Sequence, residues 1–221
     1  MTRFLDISIA IIAIVTISPL FLILIIILNF TGEKEIFFYH ERIGRYQKKF
    51  KLIKFATMLK NSPQIGSKDL TIPNDPRVLR FGTILRKTKL NELPQLFNII
   101  KGDMSFVGPR PLTSKQIETF DKNKLNVILK NKPGLTGIGS IIFNDEEKIL
   151  SKVDNHEEFY NKIILPYKEE LEYWYTKNNH AFSYLFFIIF TIFILFIPNK
   201  RILWFIFKSL PQPNEHLKNI I

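Results

Sequence analysis

Residues 86–111 read RKTKLNELPQLFNIIKGDMSFVGPRP and decide the fold that we expect for this chain. Their apolar side chains recur at the spacing of one helix face, at Leu93, Leu96, Phe97 and Ile100. Pro94 is tolerated only in the first turn of a helix, and Gly102 after Lys101 is a helix stop. The pattern therefore predicts a helix over residues 91–101.

Residues around the start of this predicted helix suit phosphate binding. Asn91 would be the N-cap and Glu92 a first-turn carboxylate, directly after the basic residues Arg86, Lys87 and Lys89. Backbone N–H groups at a helix start bind phosphate together with guanidinium and ammonium groups. Arg110 stands between two prolines that restrict its backbone, which suits it to grip a phosphate. The alternative is a plain capped helix and a rigid turn, with solvated basic side chains.

The charge of the chain is concentrated in one segment. The 221 residues have a formal charge of +11, and residues 34–89 contain 14 basic and 4 acidic side chains. A segment of this kind binds nucleic acid, anionic lipid headgroups or a small polyphosphate. Flanking hydrophobic segments favour the last two, and nucleic acid is not expected because no recognition motif accompanies the charge. The absence of cysteine excludes disulfides, a thiolate nucleophile and a cysteine zinc site.

Residues 7–30 form an uncharged apolar run that predicts a membrane segment. Length alone favours a single crossing. Ser18 and Pro19 stand at the middle of the run, however, and proline can bend a helix sharply, while Ser18 can satisfy a carbonyl that the proline frees. Each arm of about 12 residues would reach only about 18 Å, so a bent helix would enter and leave by one face. Both topologies place the following basic residues in the cytoplasm.

Four further segments have clear patterns. Residues 37–55 alternate aromatic and basic side chains, as in a solvated hairpin or a groove for an anionic substrate. Residues 61–75 indicate a loop. A third pattern, with steps of four and three residues, predicts an apolar stripe along one helix face, formed by Tyr160, Ile164, Tyr167, Leu171 and Trp174. Such a stripe packs in a core or lies in the lipid headgroup layer. Residues 182–197 are a second uncharged run, about 24 Å long as a helix, which suits an embedded or tilted segment.

Many short motifs occur in the order typical of one family. They are RFLD at 3–6, SP at 18–19, FYHERIG at 38–44, KF at 54–55, TM at 57–58, DPR at 75–77, LRKT at 85–88, ELPQL at 92–96, KGDMS at 101–105, VGPRP at 107–111 and PGLTG at 133–137. By these motifs, residues 1 to about 174 resemble the bacterial sugar transferase family, the small monotopic phosphoglycosyl transferases.

This resemblance implies a reaction at the cytoplasmic face of the bacterial inner membrane. A sugar 1-phosphate would pass from a UDP-sugar to polyprenyl (undecaprenyl) phosphate with release of UMP, and Mg²⁺ would be the cofactor. The product would begin a surface polysaccharide, a lipopolysaccharide O-chain or a glycoprotein glycan. The phospholipid bilayer and downstream glycosyltransferases would be partners. The resemblance also implies a re-entrant first helix that is broken at Ser18-Pro19.

The resemblance also implies roles for individual residues. Substrate phosphates or the nucleotide would be bound by basic side chains, namely Arg42, Lys54, Arg77, Arg86 and Arg110. Glu92 would be catalytic and would ligate the metal ion. The family's nucleophile is an aspartate that attacks the donor's β-phosphate, and Asn91 stands at its position. An amide caps a helix well but lacks the charge for attack or for strong magnesium binding.

Three interpretations of this departure stay open. Glu92 could act as the nucleophile, or it could act as the base in a direct transfer between the two substrates. The third is a catalytically silent family member that binds polyprenyl phosphate or anionic lipid as a membrane scaffold. Activity is favoured because phosphoryl transfer rests largely on positioning and electrostatics, and Arg86 and Arg110 are present.

We expect an α+β fold that is predominantly helical, with few short strands and with amphipathic helices at the membrane interface. The predicted divisions are a membrane-embedded helix over residues 1–32, a cytosolic or interfacial catalytic domain over 33–178, and a hydrophobic, membrane-associated tail over 179–221. The chain is long enough for one catalytic unit with such anchors, but too short for two full domains.

Overall fold

The N-terminal apolar run forms one helix, α1, over Thr2–Phe30. The computed structural model describes residues 2–65, 70–197, 199–218 and 220, without the side chains of 195 and 196. Within that part, α1 is the one helix long and apolar enough to cross a membrane. Few of its side chains are buried, namely Asp6, Ala10, Leu24 and Leu28. An exposed apolar surface of this extent marks a membrane or protein contact.

The helix α1 continues through Pro19. A proline has no N–H group to donate to the carbonyl four residues earlier, which here belongs to Val15. The Ser18 hydroxyl donates to that carbonyl instead, with 2.8 Å between Oγ and O. The expectation that Ser18 satisfies the freed carbonyl is therefore confirmed. The helix is not interrupted at this point, and the re-entrant topology stays a prediction.

The chain divides into two compact units. Unit 1 consists of Met1–Glu41 and Phe50–Met104, and unit 2 consists of Arg42–Lys49 and Ser105–Ile221. The predicted divisions after residues 32 and 178 refer to membrane contact and stay predictions. Across both units the described residues are mainly helical, with four short strands. The predicted α+β, predominantly helical fold class is therefore confirmed.

Unit 1 contains a hairpin and three helices around one apolar core. After α1 its elements are β1 (Phe37–Ile43), β2 (Lys49–Phe55), α2 (Arg80–Lys87), a 3₁₀ turn (Leu90–Glu92) and α3 (Gln95–Lys101). The strands β1 and β2 pair in a two-stranded sheet. The hairpin interpretation of residues 37–55 is therefore confirmed. Residues 42–49, at the turn end of this hairpin, are grouped with unit 2. The core is formed by Leu24, Leu28, Phe55 and Leu85. The second half of α1 therefore packs on the hairpin and α2.

Polar side chains fasten α3 to the rest of unit 1. The Arg3 guanidinium donates to the carbonyls of Ile99, at 2.5 Å, and Ile100, at 2.7 Å. These carbonyls lie in the last turn of α3, and that of Ile99 also accepts a hydrogen bond from Gly102 N at 3.0 Å. The Asn98 side chain accepts a hydrogen bond from Ile53 N of β2 at 3.0 Å. The helix α3 is thereby held against α1 and β2.

The helix predicted over residues 91–101 begins later than expected. The helix α3 starts at Gln95, whereas Asn91 lies in the 3₁₀ turn Leu90–Glu92. The prediction that Asn91 is the N-cap is wrong, because Pro94 occupies that position and Asn91 Oδ1 accepts no hydrogen bond from any described residue. The predicted end at Lys101 is confirmed, with Gly102 in the left-handed region at φ 96°.

The residues ahead of α3 are held by hydrogen bonds between residues three apart. Leu93 N donates to the Leu90 carbonyl at 3.2 Å, Leu96 N to the Leu93 carbonyl at 3.1 Å, and Phe97 N to the Pro94 carbonyl at 3.1 Å. This spacing is that of a 3₁₀ helix, in which the chain winds more tightly than in an α-helix. The regular helix therefore begins only after these turns.

Arg77 anchors the loop that the sequence predicts over residues 61–75. Its guanidinium donates twice to the Asp75 carboxylate, with Nε–Oδ1 at 2.8 Å and Nη2–Oδ2 at 2.6 Å. It also donates to main-chain carbonyls of the loop, namely those of Ser62, Ile65 and Leu70. Residues 66–69 lie outside the described part. The prediction that Arg77 binds substrate phosphate is corrected, because this side chain is 3% exposed and all its nitrogens serve the fold.

Arg77→Met is expected to lower the free energy of unfolding by about 3 kcal/mol, because it leaves the buried Asp75 carboxylate without its partner. The hydrogen bond from Arg77 lowers the pKa of Asp75 below its ordinary value. The ion pair therefore stabilises the fold at neutral pH, and this contribution disappears as the pH falls through the lowered pKa. Thermal unfolding at neutral pH measures the loss.

The matched control for this change is Arg80→Met, because Arg80 is an exposed arginine at the start of α2. It is expected to leave the unfolding midpoint almost unchanged. An Arg77→Met protein of normal stability with weakened donor binding would restore the predicted phosphate role.

Unit 2 is built on a short parallel sheet. The strand β3 (Ser105–Val107) pairs with β4 (Gly134–Thr136), with Val107 opposite Thr136. The helices are α4 (Ser114–Thr119), α5 (Lys122–Ile128), α6 (Ile138–Ile142), α7 (Glu146–Leu150), α8 (His156–Phe159), α9 (Leu165–Lys177), α10 (Ala181–Phe196), α11 (Ile202–Ile206) and α12 (Glu215–Lys218). One core cluster consists of Ile43, Leu112, Phe120, Leu125, Ile128, Leu129 and Leu165.

The aromatic stripe predicted after residue 160 packs into the core of unit 2. The π-helical turn Tyr160–Ile164 leads directly into α9. Tyr160 is partly buried, and the later members of the stripe are buried, namely Ile164, Tyr167, Leu171 and Trp174. The core-packing interpretation is therefore confirmed.

The second apolar run forms α10, which contains no charged residue and has two different faces. One face is buried and carries Tyr184, Phe187, Phe190 and Ile194. The other face is exposed and carries Phe182, Leu185, Ile189 and Ile192. This helix is therefore part of the core of unit 2 on one side and an uncovered apolar surface on the other.

Candidate active site

The site predicted from the sequence centres on the 3₁₀ turn Leu90–Glu92 in unit 1. The turn follows α2 directly because Lys89 takes a left-handed backbone conformation, with φ 59°. The Glu92 side chain is 24% exposed, whereas Asn91 is only 6% exposed. The carboxylate can therefore reach a substrate from solvent, and the amide beside it is held in the interior.

Glu92 forms an ion pair with Lys54 of β2, with 2.8 Å between Oε1 and Nζ. The two side chains are 24% and 20% exposed, so their attraction is less screened than at an open surface. They are 38 residues apart in the chain, and only the folded hairpin and turn bring them together. The structure thus unites two of the predicted site residues, one anionic and one cationic.

The Asn91 side chain contains a buried oxygen that has no hydrogen-bond partner in the part of the chain that the structure describes. A buried acceptor is normally paired, because leaving it unpaired costs free energy. A ligand that brings a cation or a hydrogen-bond donor to Oδ1 would satisfy it. Arg86 belongs to the same unit, in the last turn of α2, and its side chain is partly buried.

Magnesium is the cofactor that the family resemblance implies. Among the described residues, no group of three or more His, Cys, Asp or Glu side chains could hold a metal ion. Mg²⁺ does not need such a cage, because it is commonly held by one or two carboxylates together with substrate phosphates and water. The partly exposed Glu92 carboxylate fits this requirement.

Two further predicted residues, Arg42 and Arg110, belong to unit 2. Arg42 Nη1 donates to the Pro111 carbonyl at 3.4 Å. The Arg110 side chain is exposed, while its main-chain N–H donates to Glu172 at 3.2 Å. Arg42 therefore supports the loop that presents the Arg110 guanidinium.

Glu172 is a candidate residue that the sequence reasoning missed. It lies on α9, is 2% exposed, and contacts the Arg110 main chain. Burial raises the pKa of Glu172 to about 7, although the Arg110 N–H and the charges of Arg110 and Lys168 act in the opposite direction. Its one signal in the sequence is its position directly after Leu171, a member of the buried stripe.

Comparison with known families gives one match, which covers most of the chain. The profile described as "Bacterial sugar transferase" matches residues 1–198. The chain belongs to the bacterial sugar transferase family. The resemblance inferred from the motifs is therefore confirmed, and with it the prediction of a transferase enzyme.

Relatives within the family are of two lengths. The exopolysaccharide production protein ExoY of Sinorhizobium fredii is 36% identical over 170 residues, which cover 70% of this chain and 75% of ExoY. The uncharacterized sugar transferase EpsL of Bacillus subtilis is 32% identical over 176 residues, or 80% of this chain and 77% of EpsL. The undecaprenyl-phosphate galactose phosphotransferase of Salmonella typhimurium is 37% identical over 153 residues, or 63% of this chain and 32% of that protein.

Proposed function

We propose that this protein transfers a sugar 1-phosphate from a UDP-sugar to polyprenyl phosphate, releases UMP, and so begins a surface glycan. The observation that carries the proposal is the Glu92–Lys54 pair, in which an acid and a cation of two family motifs meet at 2.8 Å. The proposal is supported by the Salmonella relative, whose name states that it is an undecaprenyl-phosphate galactose phosphotransferase. Both substrates carry phosphate groups, and the basic residues of the motifs are suited to bind phosphate.

The proposed reaction makes one bond to the donor's β-phosphorus and breaks another. A nucleophilic oxygen attacks that phosphorus, the bond to the bridging oxygen breaks, and UMP leaves with the bridging oxygen. In one route the Glu92 carboxylate attacks and holds the sugar phosphate as a mixed anhydride, until polyprenyl phosphate displaces the carboxylate. In the other route polyprenyl phosphate attacks directly, and Glu92 takes up its proton.

Cationic groups would neutralise the charge on the phosphoryl oxygens during transfer. Lys54 can exchange its contact with Glu92 for one with the donor, and Arg86 adds a guanidinium suited to bidentate phosphate binding. On unit 2, Arg42 and Arg110 are proposed to bind phosphate of the donor. Magnesium held by Glu92 would supply additional positive charge beside the diphosphate.

A second candidate function rests on the amide at position 91. A family member that keeps the basic residues but lacks a working nucleophile would bind polyprenyl phosphate or anionic lipid as a membrane scaffold. A screen of UDP-sugars with Mg²⁺ and polyprenyl phosphate, scored by UMP release, separates the two functions. UMP release with one donor supports the enzyme and identifies the sugar. Binding of polyprenyl phosphate without UMP release from any donor supports the scaffold.

We also propose that the protein works at the cytoplasmic face of the bacterial inner membrane, with α1 as a re-entrant helix. The exposed apolar surface of α1 supports contact with a membrane, and Pro19 within the helix is the residue at which a re-entrant bend would form. The exposed face of α10 would add a second contact with lipid. Such a site would bring the polyprenyl phosphate headgroup to the catalytic residues from the membrane surface.

The absence of cysteine allows a direct test of this topology. Thr2→Cys and Thr31→Cys place one thiol at either end of α1. Both are expected to resist an impermeant maleimide outside intact spheroplasts and to react in inside-out vesicles, because both ends of a re-entrant helix face the cytoplasm. Lys122→Cys, at an exposed position of α5, is the cytoplasmic control. Labelling of Thr2→Cys alone from outside would establish a full crossing.

A further inference from the structure

The loop Gly108-Pro109-Arg110-Pro111, here called the Arg110 loop, is fastened at each of its four residues. Three of these hydrogen bonds are Gly108 N to Thr136 O at 3.0 Å, Gly134 N to Pro109 O at 2.9 Å, and Arg42 Nη1 to Pro111 O at 3.4 Å. The fourth joins Arg110 N to Glu172 Oε1 at 3.2 Å. Main-chain groups are uncharged and arginine stays charged near neutral pH. Among these four partners, Glu172 alone can therefore change its charge in this pH range.

Glu172 approaches the Arg110 loop from the interior of unit 2. It is 2% exposed, and its Oε2 has no hydrogen-bond partner among the described residues. Gly139 of α6 lies directly against it, since a Cβ atom at this position would overlap Glu172 Oε1. Glycine at residue 139 therefore leaves room for the carboxyl group in this position.

The surroundings of Glu172 favour the neutral acid more strongly than water does. Burial raises its pKa to about 7 against the opposing charges of Arg110 and Lys168. Lys168 is itself paired with Glu146, with 2.7 Å between Nζ and Oε2. The helix α6 contributes the uncharged Gly139, and α10 has no charged residue. Neutral and ionised Glu172 are therefore both populated near neutral pH.

We propose that Glu172 is a positioning residue. As a neutral acid it holds the Arg110 loop without attracting the Arg110 guanidinium, whose positive charge then binds a phosphate group. This inference rests on the proposed function, in which Arg110 binds the donor diphosphate. A neutral carboxyl group can still accept the Arg110 N–H through its carbonyl oxygen. An ionised carboxylate also attracts the guanidinium and competes with the phosphate. Binding of the donor is therefore coupled to proton uptake at Glu172.

Donor affinity is expected to fall as Glu172 ionises. With the UDP-sugar selected by the donor screen, the wild-type KM for the donor should rise at least about threefold between about pH 6 and about pH 8. Glu172→Gln keeps the hydrogen-bond acceptor and stays neutral, so its KM should remain near the wild-type value measured at the lower pH. A purely structural role would not remove the pH dependence in this way. Equal pH dependence of KM in the wild type and in Glu172→Gln would overturn the inference.

Glu169→Gln is the matched control. Glu169 is a buried carboxyl group on the same helix, and burial raises its pKa as well. Its Oε1 accepts a hydrogen bond from Asp121 N at 2.8 Å, at the start of α5. The Glu169→Gln protein should therefore retain the wild-type pH dependence of KM. Loss of that dependence in both variants would assign it to α9 in general and overturn the specific role of Glu172.

A measurement without catalysis distinguishes this inference from the proposed function. In the ¹⁵N-labelled full-length protein, the Arg110 amide shift should follow an ionisation near about pH 7 in the wild type and in Glu169→Gln, but not in Glu172→Gln. The wild-type titration remains decisive if Glu172→Gln does not fold. An Arg110 amide that does not titrate overturns the inference whatever the activity. A titrating amide in a protein that releases UMP from no donor overturns the proposed function instead.

Discussion

Glu92→Gln is expected to reduce UMP release by at least about 100-fold, because both proposed routes need the negative charge of this carboxylate. Glutamine keeps the shape of the side chain and can still accept a hydrogen bond from Lys54, which lies 2.8 Å from Glu92. The fold should therefore persist, and the loss should appear in kcat more than in the donor KM. UMP release with saturating donor, polyprenyl phosphate and Mg²⁺ measures the effect.

The chain offers a matched control for this change. Glu35 pairs with Lys60, with 2.6 Å between Oε1 and Nζ, at an exposed position. Glu35→Gln removes the same charge from a surface pair and is expected to keep the wild-type rate. Full UMP release by Glu92→Gln would contradict the role assigned to this residue.

Incubation of the wild-type protein with donor alone separates the two proposed routes. The covalent route predicts one equivalent of UMP per protein and a protein mass increased by the sugar phosphate. Hydroxylamine should remove this group, because it cleaves a mixed anhydride. Direct transfer predicts neither UMP nor a mass change until polyprenyl phosphate is added. The Glu92→Gln protein should give no adduct in either case.

Asn91→Asp is expected to raise UMP release by about tenfold or more, because it places a carboxylate at the position of the family's nucleophile. The change has a structural cost, because residue 91 is 6% exposed and its side-chain oxygen has no hydrogen-bond partner. Burial of the new charge should lower the free energy of unfolding by about 1–3 kcal/mol. Mg²⁺ should restore part of this loss if the ion binds there.

The control for this second change is Asn123→Asp, which makes the same substitution at an exposed position of α5. It is expected to alter neither the rate nor the effect of Mg²⁺ on unfolding. An Asn91→Asp protein with an unchanged rate and no covalent adduct would show that residue 91 does not supply the nucleophile in this chain. Catalysis would then rest on Glu92 alone.

Elements with a strong local pattern were predictable from the sequence. The apolar run of α1, the alternating strands of the hairpin, and the stripe along α9 all appear where the pattern indicates. The end of α3 was predictable because Gly102 adopts a backbone conformation that other residues rarely take. In each case neighbouring residues within a few positions carry the signal.

Features that depend on distant residues were not predictable. Arg77 belongs to a family motif, yet its guanidinium donates its hydrogen bonds to Asp75 and to carbonyls of a folded loop. Asn91 matches a helix cap in sequence, but it lies in the 3₁₀ turn ahead of α3, where its buried Oδ1 has no hydrogen-bond partner among the described residues. Glu172 has no motif, and its importance follows from burial against Gly139.

The sequence by itself determined the family, the predominantly helical fold, the apolar N-terminal helix and the residues from which a phosphate site would be drawn, because each depends on local order along the chain. Only the tertiary structure decided how those residues are used. It paired Glu92 with Lys54 across 38 positions, enclosed Arg77 in a loop, and placed Glu172 beneath Arg110. The physical reason is that burial and charge pairing are set by residues far apart in sequence, which folding alone brings into contact.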